Sequence, residues 1–287
     1  MKSTLTPTYK GFIARIKKLR VNNLRLYLGI FIIFTVIAMV TLASHLTKFD
    51  PIEQDLLNTL QSGSKEHFLG TDNLGRDIWS RLLYGGRTDL FLASAAVLAP
   101  FIIGTIIGAI CGYFSGWIDT LVMRIADVVV AFPFYVLVIS LVFILGNGVG
   151  SIFIAISLVS WVAYARIVRG ETMIVRSKEF IEAAQTGGIS NRKIIIRHVL
   201  PNVITQAVVY AMSDIILNIG VIVTLSYFGL GIVPPTPDWG RMISEGQQFL
   251  AGGYYSLTVL PAVAVIITSL GLSFIGDGLA RLLRVKR

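Results

Sequence analysis

From Glu182 to Asn202 the chain reads EAAQTGGISNRKIIIRHVLPN, a polar stretch between two strongly apolar ones. It carries an acid at Glu182, small side chains at Ala183 and Ala184, and a glycine pair at Gly187 and Gly188. The basic or imidazole groups of Arg192, Lys193, Arg197 and His198 follow, then Leu200 and a terminating Pro201. The chemistry on offer is recognition rather than bond making. Alanines admit a partner at close range, a glycine supplies a left-handed residue for a sharp bend, and a cationic rim sets orientation. Ile194 and His198 read as packing or hydrogen-bonding members of the same segment.

Groups that make or break bonds are sparse elsewhere. No G-x-x-x-x-G-K-[ST] phosphate loop occurs, so this polypeptide does not cradle ATP itself. His45, His67 and His198 are scattered, and the single Cys111 excludes an internal disulfide and a Cys-rich metal site. DNLGRD, residues 72–77, lacks the ligand spacing and closing Glu of a calcium loop. No catalytic residue, cofactor or metal is expected. One ionisable group does fall inside an apolar run: Asp214, with Asn218 one helical turn on. It reads either as a pathway-lining or inter-subunit polar contact, or as a hydrogen-bonded pair holding a helix bundle together.

The elements that position these residues must lie in lipid. Apolar residues make up 54% of the chain and charged residues only 14%, with mean hydropathy +0.75; a soluble domain carries about 25% charged residues. A chain of 287 residues has room for about six spans of roughly 20 residues each. Apolar runs at 26–46, 90–114, 121–146, 150–167, 203–228 and 257–280 supply six. Helices are required, because an open strand edge cannot be satisfied in hydrocarbon. The expected fold class is therefore an all-α integral membrane protein with six transmembrane helices. The run 26–46 is longer than a cleavable signal core and ends without a small-x-small site, so it reads as a retained first span.

Nineteen of the 25 Lys and Arg residues fall in the N-terminal segment, after span two, between spans four and five, and at the C-terminus. The positive-inside rule then makes both termini, and the polar stretch, cytoplasmic. The formal charge of +9 is a topology signal, so the partner it implies is the lipid bilayer and not nucleic acid. The chain divides into a basic N-terminus with the first helix (1–47), an extracytoplasmic loop (48–89) and a five-helix core (90–287). That core carries a cytoplasmic loop at 170–202 and an extracytoplasmic loop at 229–256. In the first outer loop Thr71 or Asp72 is placed to cap an amphipathic helix over Leu74, Ile78, Leu82 and Leu83, with Gly85-Gly86 stopping it. Such a helix lies on the leaflet or forms a docking surface. Prolines at 234, 235 and 237 break up the second loop, leaving a short amphipathic patch from Trp239 to Phe249. Arg166 and Arg169, at the inner end of span four, read as interfacial anchors.

Within the polar stretch, Ser177 is expected to cap a helix with Glu179 in its first turn and a Lys178–Glu182 pair on one face. Gly187-Gly188 ends it, Ser190 caps a second short helix from Asn191 to Leu200, and Pro201 stops that helix or starts the next span. Two short helices with a stiff bend make a knob for another protein's groove; a merely solvated loop needs neither.

Glu182-Ala183-Ala184, Gly188 six residues after the acid, Ile194 and Leu200-Pro201 together resemble the EAA signature of bacterial ABC importer permeases. The stretches LGTDNLGRDIWSRLLYGGRTDL and LSYFGLGIVPPTPDWGRMISEG are similar to those of the dipeptide/oligopeptide/nickel subfamily, and of its C-type transmembrane subunit in particular. The resemblance spans about Asp50 to Gly278. It implies a type I importer permease fold in a bacterial cell membrane, with Glu182, Ala183, Ala184, Gly187, Gly188, Ile194, Arg197, Leu200 and Pro201 docking an ATPase. It also implies a heterodimer with a homologous permease, two cytoplasmic ATPase subunits and an extracytoplasmic binding protein. Two departures stand out. Gly187 occupies a position that is often hydrophobic, and Ile222 replaces a glutamate frequent in peptide permeases, which leans toward a metal-chelate cargo. Small peptides and nickel, cobalt or metallophore complexes all remain open. The rival readings are an ion-coupled secondary transporter, which calls for a mid-membrane charge network and internal repeats, and a membrane scaffold or sensor.

Overall fold

A computed structural model describes residues 7–283, with side chains from 24 onward; the basic side chains before Leu24, and Arg284, Lys286 and Arg287, lie outside the described residues. The regular elements of the described chain are all helices, joined by irregular loops of which the longest are 47–77 and 228–238, and one isolated bridge links Thr71 to Asp77. Apart from single turns at Ala43–Leu46 and Leu250–Gly252, the described helices are α1 Pro7–Thr41, α2 Ile78–Phe114, α3 Gly116–Val130, α4 Phe134–Leu145, α5 Val149–Arg176, α6 Glu179–Thr186, α7 Asn191–Tyr227, α8 Trp239–Gln247 and α9 Ser256–Leu282. Five of them (α1, α2, α5, α7 and α9) are long and apolar enough to cross a membrane, and α3 with α4 makes a sixth span if read as one.

That third span is not straight. Between Val130 and Phe134 the chain bends by 87°. Pro133 has no N–H to donate and its ring biases Phe132 away from helical backbone, so the helix ends there and restarts at Phe134. An uninterrupted helix over 121–146 was the expectation, and the proline overrides it.

Two other expected short helices are the ends of long ones. Asp77, rather than Thr71 or Asp72, caps α2 by accepting from the Ser80 N–H at 2.7 Å, and the helix runs on through Gly85 and Gly86. These glycines do not stop it because they sit against a neighbour: a Cβ on Gly85 would meet Asp238 Cα at 3.2 Å, and one on Gly86 the Trp239 ring at 2.6 Å. With 37 residues at about 1.5 Å each, α2 outruns a hydrocarbon core of about 30 Å and projects from it. At the other end of the molecule the second helix of the polar stretch is likewise the start of the 37-residue α7.

The bundle is held by glycine seams. Gly104, Gly108 and Gly112 recur at four-residue spacing on α2, and their Cα atoms face the carbonyls of Trp161, Ala165 and Arg169 on α5; a Cβ would stand 2.5, 2.5 and 2.6 Å from those oxygens. In lipid, where helices gain little from hydrophobic contact, such small-residue rows let backbones approach closely. Gly29 of α1 meets the Gly271 carbonyl of α9 in the same manner. One apolar core joins α2, α4, α5 and α7 through Ala93, Val138, Ile156 and Ile222. A second lies toward the polar stretch, around Tyr164, Val168, Ile181 and Ile194.

The end opposite the polar stretch is clamped by charge. Glu245 on α8 accepts from Arg76 at 2.8 Å, Arg81 at 3.0 Å and Arg241 at 2.9 Å, and Asp72 pairs with Arg76 and Arg81. Trp239 donates its backbone N–H to Asp89 and its indole N–H to the Leu82 carbonyl, both at 2.9 Å, seating α8 on α2.

Candidate functional site

The polar stretch folds as a bent helix pair between α5 and α7. Ser177 does not cap α6: its hydroxyl donates back to the Ile174 carbonyl, and Lys178 takes the extended N-cap position instead. Of the glycine pair only Gly188 is left-handed, with φ +74°, whereas Gly187 has φ −72°. The Ile189 N–H returns to the Ala184 carbonyl at 3.1 Å, the long-range bond of a glycine-terminated helix. Ser190 holds the N-cap position of α7 without a side-chain capping bond. Residues Ile195–Val199 then widen into a π turn, in which the Leu200 N–H reaches the Ile195 carbonyl. This turn absorbs Pro201, which has no N–H and would clash with a regular turn before it, so the helix continues through the proline instead of stopping.

The signature residues divide between two faces. Glu182, Ala183, Gly187, Gly188, Arg197 and Pro201 are exposed, whereas Ala184 and Ile194 are buried with Ile181 and Val199 against the chain's own second core, and Leu200 is half-buried. Phe180 and Ile189 add two exposed apolar groups at 45% and 38%, large for side chains flanking a polar bend. Among the described ion pairs Lys178–Glu182 does not occur, so Glu182 projects without that partner.

One residue outside the stretch locks it. Tyr113, at the end of α2, donates its hydroxyl to Asn191 Oδ1 at 2.9 Å and accepts from Gln185 Nε2 at 3.2 Å, tying both arms of the bend to a span. Sequence reading passed over Tyr113, because nothing local marks a tyrosine at a span end as a partner of residues 72 and 78 positions away. Arg169 and Arg166 are likewise more than anchors. Arg169 grips Asp119 of α3 with two bonds at 2.5 and 2.6 Å, and Arg166 reaches Asp127 at 2.6 Å.

Asp214 and Asn218 are both buried on α7. The Tyr164 hydroxyl of α5 donates to Asp214 Oδ2 at 2.8 Å, while neither polar atom of the Asn218 side chain finds a partner among the described residues. Asp214 also lines an open cleft of about 560 Å³ at the α3–α4 break, together with Ser160, Arg166, Tyr210 and Pro133. Ile222 is nowhere on that wall: it is fully buried among Val138, Ile156 and Ile219, so its apolar character follows from packing.

Residues 104–286 match the model of the binding-protein-dependent transport system inner membrane component family. A dipeptide transport system permease protein of Alkalihalophilus pseudofirmus is 38% identical over 92% of this chain and 86% of its own. A glutathione transport system permease protein of Pectobacterium atrosepticum is 37% identical over 88% and 83%. Among solved structures, the MetNI methionine ABC transporter in an inward-facing conformation aligns with TM-score 0.58 at 21% identity, covering 73% of this chain and 98% of that one, a likeness of fold. The helical spans, the bent pair between the fourth and fifth of them and these matches together make the chain a member of the binding-protein-dependent transport family, a multi-pass permease subunit of an ABC importer.

Proposed function

We propose that the bent pair is the joint through which cytoplasmic ATPase subunits drive this permease, and that the cargo is a small peptide. The observation that carries the reading is the division of the pair into two faces. Glu182, Ala183, Gly188, Phe180 and Ile189 form an exposed tip with small residues at its centre, and Ile181, Ala184, Ile194 and Val199 root that tip in the bundle. A tip so rooted carries a push into α5 and α7 as a rigid element; a solvated loop would dissipate it. Arg197 and the exposed Arg192 and Lys193 supply the rim that orients an acidic partner surface.

On this reading the tip and both termini are cytoplasmic, in accord with the Lys and Arg distribution, and the chain lies in a bacterial inner membrane. It pairs with a homologous permease, binds two ATPase subunits, and receives cargo from an extracytoplasmic binding protein at the end clamped by Glu245. ATP-driven closure of the ATPases draws the tips together and biases the two bundles between inward- and outward-facing states. The relatives named for dipeptides and glutathione support a peptide cargo. Burial of Ile222 withdraws the one argument for metal chelates, because that position cannot touch what passes.

Glu182→Lys in the reconstituted complex is expected to lower co-purification of the ATPase at least several-fold and to leave residual hydrolysis uncoupled from uptake. Wild-type uptake that follows a proton gradient and ignores ATP would instead select the ion-coupled transporter.

A further inference from the structure

The cleft at the α3–α4 break has a chemical character of its own. Three groups on its wall can take positive charge or donors, and their acceptors are not all filled from within the chain. Asp214, 1% exposed, accepts the Tyr164 hydroxyl at Oδ2, which leaves Oδ1 as the second acceptor of its carboxylate. Ser160, one turn before Tyr164 on α5, is 5% exposed and its Oγ is likewise unpartnered. Tyr210, one turn before Asp214 on α7, packs edge-on against Tyr164 with ring centres 4.8 Å apart, and its ring contributes to the wall. The cation on this wall, Arg166, is already engaged by Asp127 at 2.6 Å. No cation of the described chain pairs with Asp214.

A buried carboxylate without its own counter-charge is costly in a bilayer. Its complement is a group that brings positive charge and several N–H donors at once. A primary ammonium has three: one for Asp214 Oδ1 and one for Ser160 Oγ, with the cation resting on the Tyr210 face, where an aromatic ring attracts positive charge. A guanidinium is planar and bulkier, and an anion is repelled.

We propose that this cleft is a transient binding site for the primary ammonium of the cargo, held by Asp214, Ser160 and Tyr210 as the cargo crosses the bundle. The inference rests on the peptide-cargo reading for the identity of the ligand, but the site itself is testable without transport.

Leu217 is 41% exposed, lines the same cleft and lies three residues beyond Asp214, so Leu217→Cys places a thiol beside the site. The native Cys111 is buried at 1% and serves as background. In the full complex this thiol is labelled with aminoethyl methanethiosulfonate, which carries an ammonium, and with the anionic sulfonatoethyl reagent, each rate normalised to free cysteine. The expected result is a preference of roughly tenfold for the ammonium reagent, the order given by one unit charge pair at partial burial. Asp214→Asn is expected to abolish most of it and Asp214→Glu to retain it. A ratio near unity, a ratio unchanged by Asp214→Asn, or a thiol that neither reagent reaches overturns the proposal. Should Asp214→Asn fail to assemble, Ser160→Ala with Tyr210→Leu tests the same ratio with the carboxylate kept; a fall of several-fold supports the site and no change overturns it. Trialanine uptake by the wild-type complex is scored separately. Absent uptake with an intact labelling preference removes the peptide-cargo reading and leaves the ammonium site standing.

Discussion

The hydroxyl of Tyr113 donates to Asn191 Oδ1 at 2.9 Å, so the end of the second span is bonded to the first residue of the 37-residue helix that becomes the fifth. Because Gln185 donates to the same hydroxyl, both arms of the bent pair are referenced to one point on the bundle. The angle of the bend is thus set by a long-range contact as well as by Gly188.

Tyr113→Phe removes both bonds while preserving the ring. A loss of about 0.5–1.5 kcal/mol per bond is expected, felt locally. Hydrogen exchange at the amides of residues 187–194 should accelerate by an order of magnitude relative to those of α5. Equal protection in both proteins would mean that the glycine turn alone holds the bend.

Gly108→Val drives a branched side chain toward the Ala165 carbonyl, where even a Cβ would stand 2.5 Å away. Neither backbone gives way easily, so a cost of about 1–3 kcal/mol is expected from overpacking, read as a lower melting temperature of the complex. Gly150→Ala, where an added Cβ meets nothing within 4 Å, should instead be neutral or stabilise by up to about 1 kcal/mol through helix propensity.

Pro133→Ala restores an N–H and lifts the constraint on Phe132. The 87° bend should open. Spin labels at Trp117 and Ile144, both exposed, report the change as a longer distance. An unaltered distance would show that packing of α4 on α7, where Tyr135 reaches Gly220, fixes the bend without help from the proline.

Acid should loosen the clamp around Glu245. Burial by itself would raise this carboxyl, but the charges of Arg81 and Arg76 and the Arg241 hydrogen bond outweigh it and hold the group below its ordinary 4.5. A depressed carboxyl contributes stability that is present above its unfolded value and lost as pH falls through the folded one. The melting temperature of the complex should therefore drop below about pH 4.5, and Glu245→Gln should flatten that slope. Asp238 works in the opposite sense. Burial pushes its carboxyl up, so its contribution is complete at low pH and is lost as pH rises through the folded value. Asp238→Asn, which can still cap α8 by accepting from the Arg241 N–H, should steepen the net dependence on Glu245.

Much of this molecule is legible residue by residue. The apolar runs specify helices in lipid because unpaired backbone groups are prohibitively costly there, and Gly188 marks a bend because glycine adopts the left-handed backbone without steric cost. Glu182-Ala183-Ala184 with its flanking residues points to the family that the comparisons bear out. Pro133 is equally visible, but it stands in an apolar run long enough to span a bilayer, and length and hydropathy alone do not mark the break.

Other features were decided only by the packed bundle. Gly85 and Gly86 look like a helix stop, but they are places where α8 lies against α2, and the same residue type serves either purpose. Pro201 could stop a short helix or start the next span, and the structure takes the second course, with a π turn joining the two so that Pro201 stands in the first turn of the α-helical stretch from Leu200. Ala183 faces out and Ala184 faces in, a difference that composition cannot express because the two side chains are identical. In lipid both the buried and the exposed faces of a span are apolar, so periodicity does not reveal how a helix is rotated about its axis. That rotation is set by neighbours distant in sequence. It pairs Tyr164 with Asp214, leaves Ser160 unpartnered, and gathers Asp214 and Ser160 at one cleft.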